Sequence, residues 1–373
     1  MTDLRPLFGL LTLLALGCTG APVGDPFESE NYSERSVQLG TVNSGGGSTS
    51  AFTVDVRAGE TGFTLFAEAG ELVSIELLRD PDGNVVTRWE DWYYAPIDLT
   101  DAFYPYYDNV VFTWPMRAED GPIQAGAWTV VVATVDADWA YLPNVDVAAS
   151  TRIRADEDPD AGVVRVALVF ADGVEEEPGV REAVDGAILR WREVWEPVGL
   201  TLELREVASD LDSTLSPPWD ADGQTDDAAA FARDGEVVVF LGETLNGELN
   251  WYGVSGGIPG PLEITDRSAT LVSWLTHAGA NGVFDDDEIG LMGETLAHEV
   301  GHYIGLQHPV QTDYARWDAL DDTVECESQS ACEDALGDNI MYPLSICDAD
   351  GCVDTFRLTD AQVGELQRAG AAR

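Results

Sequence analysis

His298-Glu299-Val300-Gly301-His302-Tyr303-Ile304-Gly305-Leu306-Gln307-His308 holds three of the chain's four histidines. On a helix, His298 and His302 stand at i and i+4, so both imidazoles project from one face a turn apart. Neutral imidazole is a favoured zinc ligand, and two from one helical face make a rigid half-site. Glu299 follows the first of them and projects beside the metal, where a carboxylate can take a proton from water. Gly305 adopts positive φ at no steric cost, so it can end the helix as a hinge and swing His308 round as third ligand. Three protein ligands leave a fourth position for water, which is the pattern of a catalytic zinc rather than a structural one. A helix end with surface histidines is the plain alternative, and it does not explain a glycine and a third histidine at these offsets.

The eleven residues match the extended motif H-E-x-x-H-x-x-G-x-x-H at every fixed position, and on that ground the chain resembles the metzincin metalloproteases. Asp338-Asn339-Ile340-Met341-Tyr342-Pro343 follows, and Met341 is the candidate for the methionine that this family turns beneath its zinc. Asp-Asp-Thr at 321–323, the cysteines around Asn-Ile-Met, and Leu358-Thr359-Asp360-Ala361-Gln362 look most like the pappalysin branch. The Met-Tyr-Pro order is similar to the matrixins instead and leaves Tyr342 without an assigned role. The resemblance covers residues 160–373. It implies a zincin-like α/β (α+β) catalytic domain that binds Zn2+ through His298, His302 and His308, with Glu299 as its catalytic base.

Composition agrees with a folded protein. The 373 residues carry a net charge of −49, all 19 basic residues are arginine, and 45% of residues are hydrophobic. Such a field repels nucleic acid and anionic lipid surfaces, so neither is an expected partner. The absence of lysine excludes Schiff-base chemistry. The acidity makes calcium a candidate second, structural cofactor without locating it, although solubility in a salty environment accounts for most of the charge.

Residues 1–18 read as an export signal. Arg5 leads into an uncharged run too short to span a bilayer, ending in Leu14-Ala15-Leu16-Gly17-Cys18, which resembles a bacterial lipobox. On that resemblance Cys18 is lipidated and anchors the protein in the cell envelope, at the outer membrane or cell surface; a plain secretory signal is the alternative. Residues 19–50, ending in a Gly/Ser run, read as a flexible linker.

From 51 to 155 the period is two. Residues 51–56, 63–67, 72–78 and 128–133 read as strands, and an all-β sandwich domain is expected. Ten aromatic residues crowd between Trp89 and Trp114. They fill the core or cover an edge, or they display a surface for glycan or peptide. The charged run 154–160 marks a domain boundary. Beyond it, strand 163–170, amphipathic helix 178–195 and strand 202–207 form a β-α-β unit, with a further strand at 236–241.

Residues 269–274 are either the edge strand that receives extended substrate, by resemblance, or an ordinary interior strand. Asp285-Asp286-Asp287-Glu288 caps the helix that carries the motif. His277, outside the motif, reads as a loop or surface residue. Without Cys18, an even set remains: Cys326, Cys332, Cys347 and Cys352 are disulfide candidates with three possible pairings.

The expectation is a monomeric zinc endopeptidase acting on extracellular or periplasmic proteins. The alternatives are a surface-binding lipoprotein with an inactive protease-like domain, and a zinc hydrolase of a non-peptide cell-wall bond.

Overall fold

Alternation of apolar and polar side chains organises the first part of the chain, and the strands it makes pair in an order that sequence spacing does not reveal. The computed structural model describes residues 32–156, 161–217, 224–348, 351–352 and 354–369. The export signal and Cys18 lie outside these residues. Strands β1 (Tyr32–Asn43), β2 (Thr49–Val56), β3 (Gly62–Arg79) and β4 (Val85–Arg88) are followed by a short helix α1 (Trp89–Tyr93) and strand β5 (Ile97–Asp98). Then come β6 (Tyr107–Trp114), β7 (Gly126–Val135) and β8 (Asp146–Asp156).

The runs 63–67 and 72–78 are one strand, β3, whose register breaks between Glu68 and Val73. Its first half lies between β6 and β8, and its second half pairs with β7 and β4. Strand β1 extends the first half through β8, and β2 extends the second through β7. One hydrophobic cluster draws Leu65 and Phe112 from the first half and Phe52, Ile75 and Val132 from the second.

The flexible linker expected over 19–50 is corrected for residues 32–50. Tyr32, Val37, Leu39 and Val42 give β1 enough apolar surface to pair along β8. The Gly/Ser run closes the β1–β2 connection as a tight turn, with Gly47 N–H donating to the Ser44 carbonyl. Composition alone measures how freely an unpaired chain moves, and here the chain has a partner.

The remainder opens with β9 (Gly162–Phe170), α2 (Val180–Trp195) and β10 (Leu200–Ala208), a parallel β-α-β unit. It continues through β11 (Thr214–Leu215), α3 (Thr225–Ala229), β12 (Val237–Gly242), β13 (Thr244–Leu245), β14 (Gly253–Ser255) and β15 (Thr270–Ser273). The main sheet runs β10-β9-β12-β15-β14, with β14 alone antiparallel to its neighbour. Within the stretch 269–274, Thr270–Ser273 is therefore an interior strand, and the edge on that side is Gly253–Ser255.

Helices α4 (Trp274–His277) and α5 (Asp286–Ile304) follow, with α5 packed on α2. The chain ends with β16 (Trp317–Asp318), α6 (Gln329–Leu336), β17 (Cys347–Asp348), β18 (Gly351–Cys352) and α7 (Asp360–Arg368). Among the described residues no helix is long and apolar enough to cross a membrane.

The two parts of the chain meet through buried polar groups. Strand β5 pairs with β16, and Asp101 N–H and Thr100 Oγ1 both donate to the Ile258 carbonyl. Arg267 is buried; it donates to the carbonyls of Gly256 and Asn109 and lies 3.8 Å from the centre of the Tyr107 ring.

Candidate metal centre

Helix α5 is fixed at both ends by local chemistry. Asp285 accepts from Glu288 N–H at 2.9 Å while Glu288 accepts from Asp285 N–H at 2.8 Å, a reciprocal cap that the acidic run foreshadows. At the other end Gly305 has φ 136°, and its N–H reaches the carbonyls of Gly301 and His302. A side chain is strained in that conformation. The chain reverses there and returns His308 to the face that carries His298 and His302.

The three imidazoles converge. His302 Nε2 is 3.0 Å and His298 Nε2 is 3.2 Å from His308 Nε2. Each ring's other nitrogen is engaged. His298 Nδ1 donates to the Ile340 carbonyl at 2.7 Å, and His302 Nδ1 to the Leu306 carbonyl at 2.6 Å. A carbonyl can only accept, so both rings carry their proton on Nδ1. His308 Nδ1 faces Gln311 Oε1 at 3.4 Å. The orientation of that amide is set in turn, because Gln311 Nε2 donates to Asp98 Oδ2 at 3.1 Å.

Three bare Nε2 lone pairs therefore point at one another with no proton to share. A tetrahedral zinc with bonds of about 2.0–2.1 Å would hold its nitrogens about 3.3 Å apart, close to the spacings found. The donor set fits that ion. Burial lowers His298 to about 4; burial and then the neighbouring His298 lower His308 to about 3; burial and then His308 and His298 lower His302 well below the ordinary imidazole range, so all three rings favour the neutral form. Among the described residues no other group of three His, Cys, Asp or Glu donors is gathered this way, and no calcium site is found.

Glu299 is buried beside His298 in a cleft of about 460 Å3, bounded by β14, α5 and the segment around Ile340 and Tyr342. Burial pushes its carboxyl up to about 8. Its side chain lies against Gly253 of the edge strand: a Cβ there would stand 2.7 Å from Glu299 Cγ. Further along the cleft Glu294 is held by Arg190 at 2.5 Å and by Thr355, which ties α5 to α2 and to the chain beyond β18.

Met341 is fully buried under α5, its Sδ against the backbone of Gly301. Its N–H donates to Asn339 Oδ1, and Asn339 Nδ2 donates to Gln362 of α7. The same turn presents the Ile340 carbonyl to His298. Tyr342 packs with Val310 and the bonded pair Cys326–Cys332. Strands β17 and β18 set Cys347 opposite Cys352 in register.

His277 is corrected. It is buried, with Nδ1 on the Ser273 carbonyl and Nε2 on Thr295 Oγ1, its ring against Tyr252. It braces α4 against α5. Asp98, Gln311 and Gly253 also escaped sequence reasoning. Gln311 follows His308 by a single turn, a local signal that was available; Asp98 is 213 residues from Gln311 and had none.

No family model matches the sequence. Over 123 residues the chain is 28% identical to "Extracellular metalloprotease 1" of Coccidioides posadasii (strain C735), a stretch that covers 32% of this chain and 41% of that protein. The chain thus spans less than half of that relative's length. Among solved structures it is similar to archaemetzincin from Methanopyrus kandleri, at 15% identity and a TM-score of 0.29 over 56% of this chain and 87% of that one. It is likewise similar to metalloproteinase-II from Bacteroides fragilis, at 12% identity and a TM-score of 0.28 over 50% and 61%.

Proposed function

We propose that this chain is an exported zinc endopeptidase of the metzincin type. One observation carries the reading: three imidazoles, their Nδ1 atoms turned away onto Ile340, Leu306 and Gln311, converge at one point, and His298 of that group lines a cleft together with Glu299. A zinc ion bound there would act as a Lewis acid toward water and the scissile carbonyl.

Glu299 takes the proton of the attacking water on its carboxylate and returns it to the departing amine nitrogen. Edge strand β14 offers unpaired backbone groups on the side away from β15, where an extended peptide adds as a further antiparallel strand. Gly253 on that strand keeps the approach to Glu299 clear. Met341 supports the floor under His298 and His302, in the manner of the family's methionine turn.

The same reading makes the stretch expected over 51–155, extended back to Tyr32 by β1, a β-sandwich domain and 160–373 the protease domain, with a lipid anchor at Cys18 holding a monomer in the cell envelope. The substrates are proteins or peptides outside the cytoplasm. Export agrees with the Cys326–Cys332 disulfide.

The test is Glu299→Gln, loaded with zinc and assayed on unfolded casein. Zinc content stays at one ion per chain while the rate falls by about 10²–10⁴-fold, the usual worth of a positioned acid–base group. Cleavage at the unmodified rate by the zinc-loaded variant refutes the mechanism.

A further inference from the structure

A second pocket lies in the first part of the chain, and none of its lining residues belongs to the histidine cleft. It has a volume of about 230 Å3 and is walled by Trp89, Tyr93, Tyr94, Trp139 and Tyr141, with Glu76 as the one charged residue among those lining it. Tyr94 is 75% exposed, Tyr141 49%, Tyr93 40% and Trp139 39%. So large an exposed aromatic group in one place marks a binding surface more often than a packing remnant.

The backbone adds an independent sign. Trp139 stands at φ 61°, a conformation that a bulky residue rarely takes. The loop imposes it: Asp136 Oδ1 accepts from Asp138 and Ala140 N–H, and the Asp136 carbonyl accepts from Trp139 N–H. Strain of this kind persists where the position of a side chain is needed, and here it holds an exposed indole over the pocket.

Ring geometry and charge decide the ligand class. Tyr93 meets Tyr94 at 90° and Trp139 at 66°, and Trp89 meets Tyr93 at 68°. A sugar ring stacks on one open, flat ring, whereas these rings meet edge to face at 5.0–6.0 Å between centres and surround the pocket at steep angles, a shape that suits a compact, rounded group better than a flat one. The negative faces of those rings attract a cation. Glu76 adds a carboxylate, whose Oε2 accepts from Tyr141 at 3.0 Å. The net charge of −49 enriches cations and repels anions around the whole molecule. A primary ammonium would need acceptors for three N–H donors, whereas this lining is mainly aromatic, with Glu76, Ser74 and the tyrosine hydroxyls as its polar groups. A quaternary nitrogen needs none.

We infer that this aromatic corner binds a quaternary ammonium group of the choline type, free or on a lipid headgroup. The site stands apart from the peptidase reading and does not depend on it.

The experiment titrates the zinc-loaded full chain with choline and with tetramethylammonium, by calorimetry and tryptophan fluorescence. Saturable binding is expected for both. Glu76→Gln removes the charge and keeps the shape; Trp139→Gly removes the indole and suits the positive φ, so the loop keeps its fold. Each weakens binding about tenfold or more, with casein cleavage and melting temperature unchanged. Co-sedimentation with phosphatidylcholine vesicles, competed by free choline, assigns the headgroup as source; choline binding without vesicle binding assigns the free cation.

Absence of choline and tetramethylammonium binding overturns the inference. So does equal binding by Glu76→Gln and Trp139→Gly, or binding of neutral chito-oligosaccharides in place of the cations.

Discussion

Gly253→Ala places one methyl group where the edge strand and the Glu299 side chain nearly touch. The added Cβ would lie 2.7 Å from Glu299 Cγ, 3.1 Å from Glu299 Oε1 and 3.1 Å from Thr295 Cγ2. Real Cβ contacts do not close to 2.7 Å, so Glu299 or β14 must shift. Strand β14 is short and held on one side only, by β15, while Thr295 is tied to the Leu291 carbonyl and to His277. Part of the displacement therefore falls on Glu299. Overpacking of this size costs about 1–3 kcal/mol, and a misplacement of about 1 Å at a reacting group costs about 10²-fold in rate.

The expected result is a fall in kcat/KM of about 10–100-fold with zinc affinity unchanged, because no histidine moves. Gly290→Ala serves as the control, since that position on α5 meets no heavy atom within 4 Å; it should leave the rate alone and raise stability by up to about 1 kcal/mol. The assay is steady-state cleavage of a quenched fluorescent peptide, with zinc measured by chelator competition. Full activity in Gly253→Ala would refute the placement of β14 against Glu299. A loss of zinc in parallel with activity would refute the claim that this contact acts on the carboxylate alone.

Gln311→Leu removes the acceptor that faces His308 Nδ1 and leaves that ring without a fixed tautomer. Loss of such an outer partner weakens metal binding by about 10–100-fold, and the 3.4 Å contact places the effect at the lower end; zinc affinity within twofold of the unmodified protein would count against the Asp98–Gln311–His308 chain. Asp318 is buried, and burial raises its carboxyl to about 7. A raised carboxyl contributes stability below its unfolded value near 3.9 and loses it as pH climbs through 7, by up to about 4 kcal/mol. Melting temperature should therefore fall between pH 5 and pH 8, and Asp318→Asn should flatten that slope; an unaltered slope would show that Asp318 does not titrate in this range.

The helix with the histidines and the β-α-β unit were legible because their signals are local. A 3.6-residue period, a reciprocal Asp285–Glu288 cap and a glycine at Gly305 each act within a turn or two of chain. Strand order was not legible, since Gly253–Ser255 and Thr270–Ser273 are both short and either suits an edge; only the pairing of β15 with β12 separates them. His277 looked like a surface residue because nothing in its neighbours shows that Thr295 lies over it. Asp98 reaches the site from a strand that sequence assigned to a different part of the molecule. The Gly/Ser run at 44–48 misled for the opposite reason, its local flexibility being genuine and the pairing of β1 with β8 lying far away.

The buried Arg267 bears on how far the chain can be divided. Its guanidinium rests on Asn109 and Tyr107 from one side of the charged break near residue 157, and on Gly256 from the other. A protein begun after that break would keep the cation but lose the Asn109 carbonyl and the Tyr107 ring that shelter it, leaving the guanidinium open to water and the face it packs on uncovered. It would also lose Asp98, and with it the orientation of Gln311. The break in sequence pattern is therefore a poor place to cut: a shortened chain that keeps the histidine site, or a chimaera with another front end, needs Asp98 through Asn109 grafted along with the histidines.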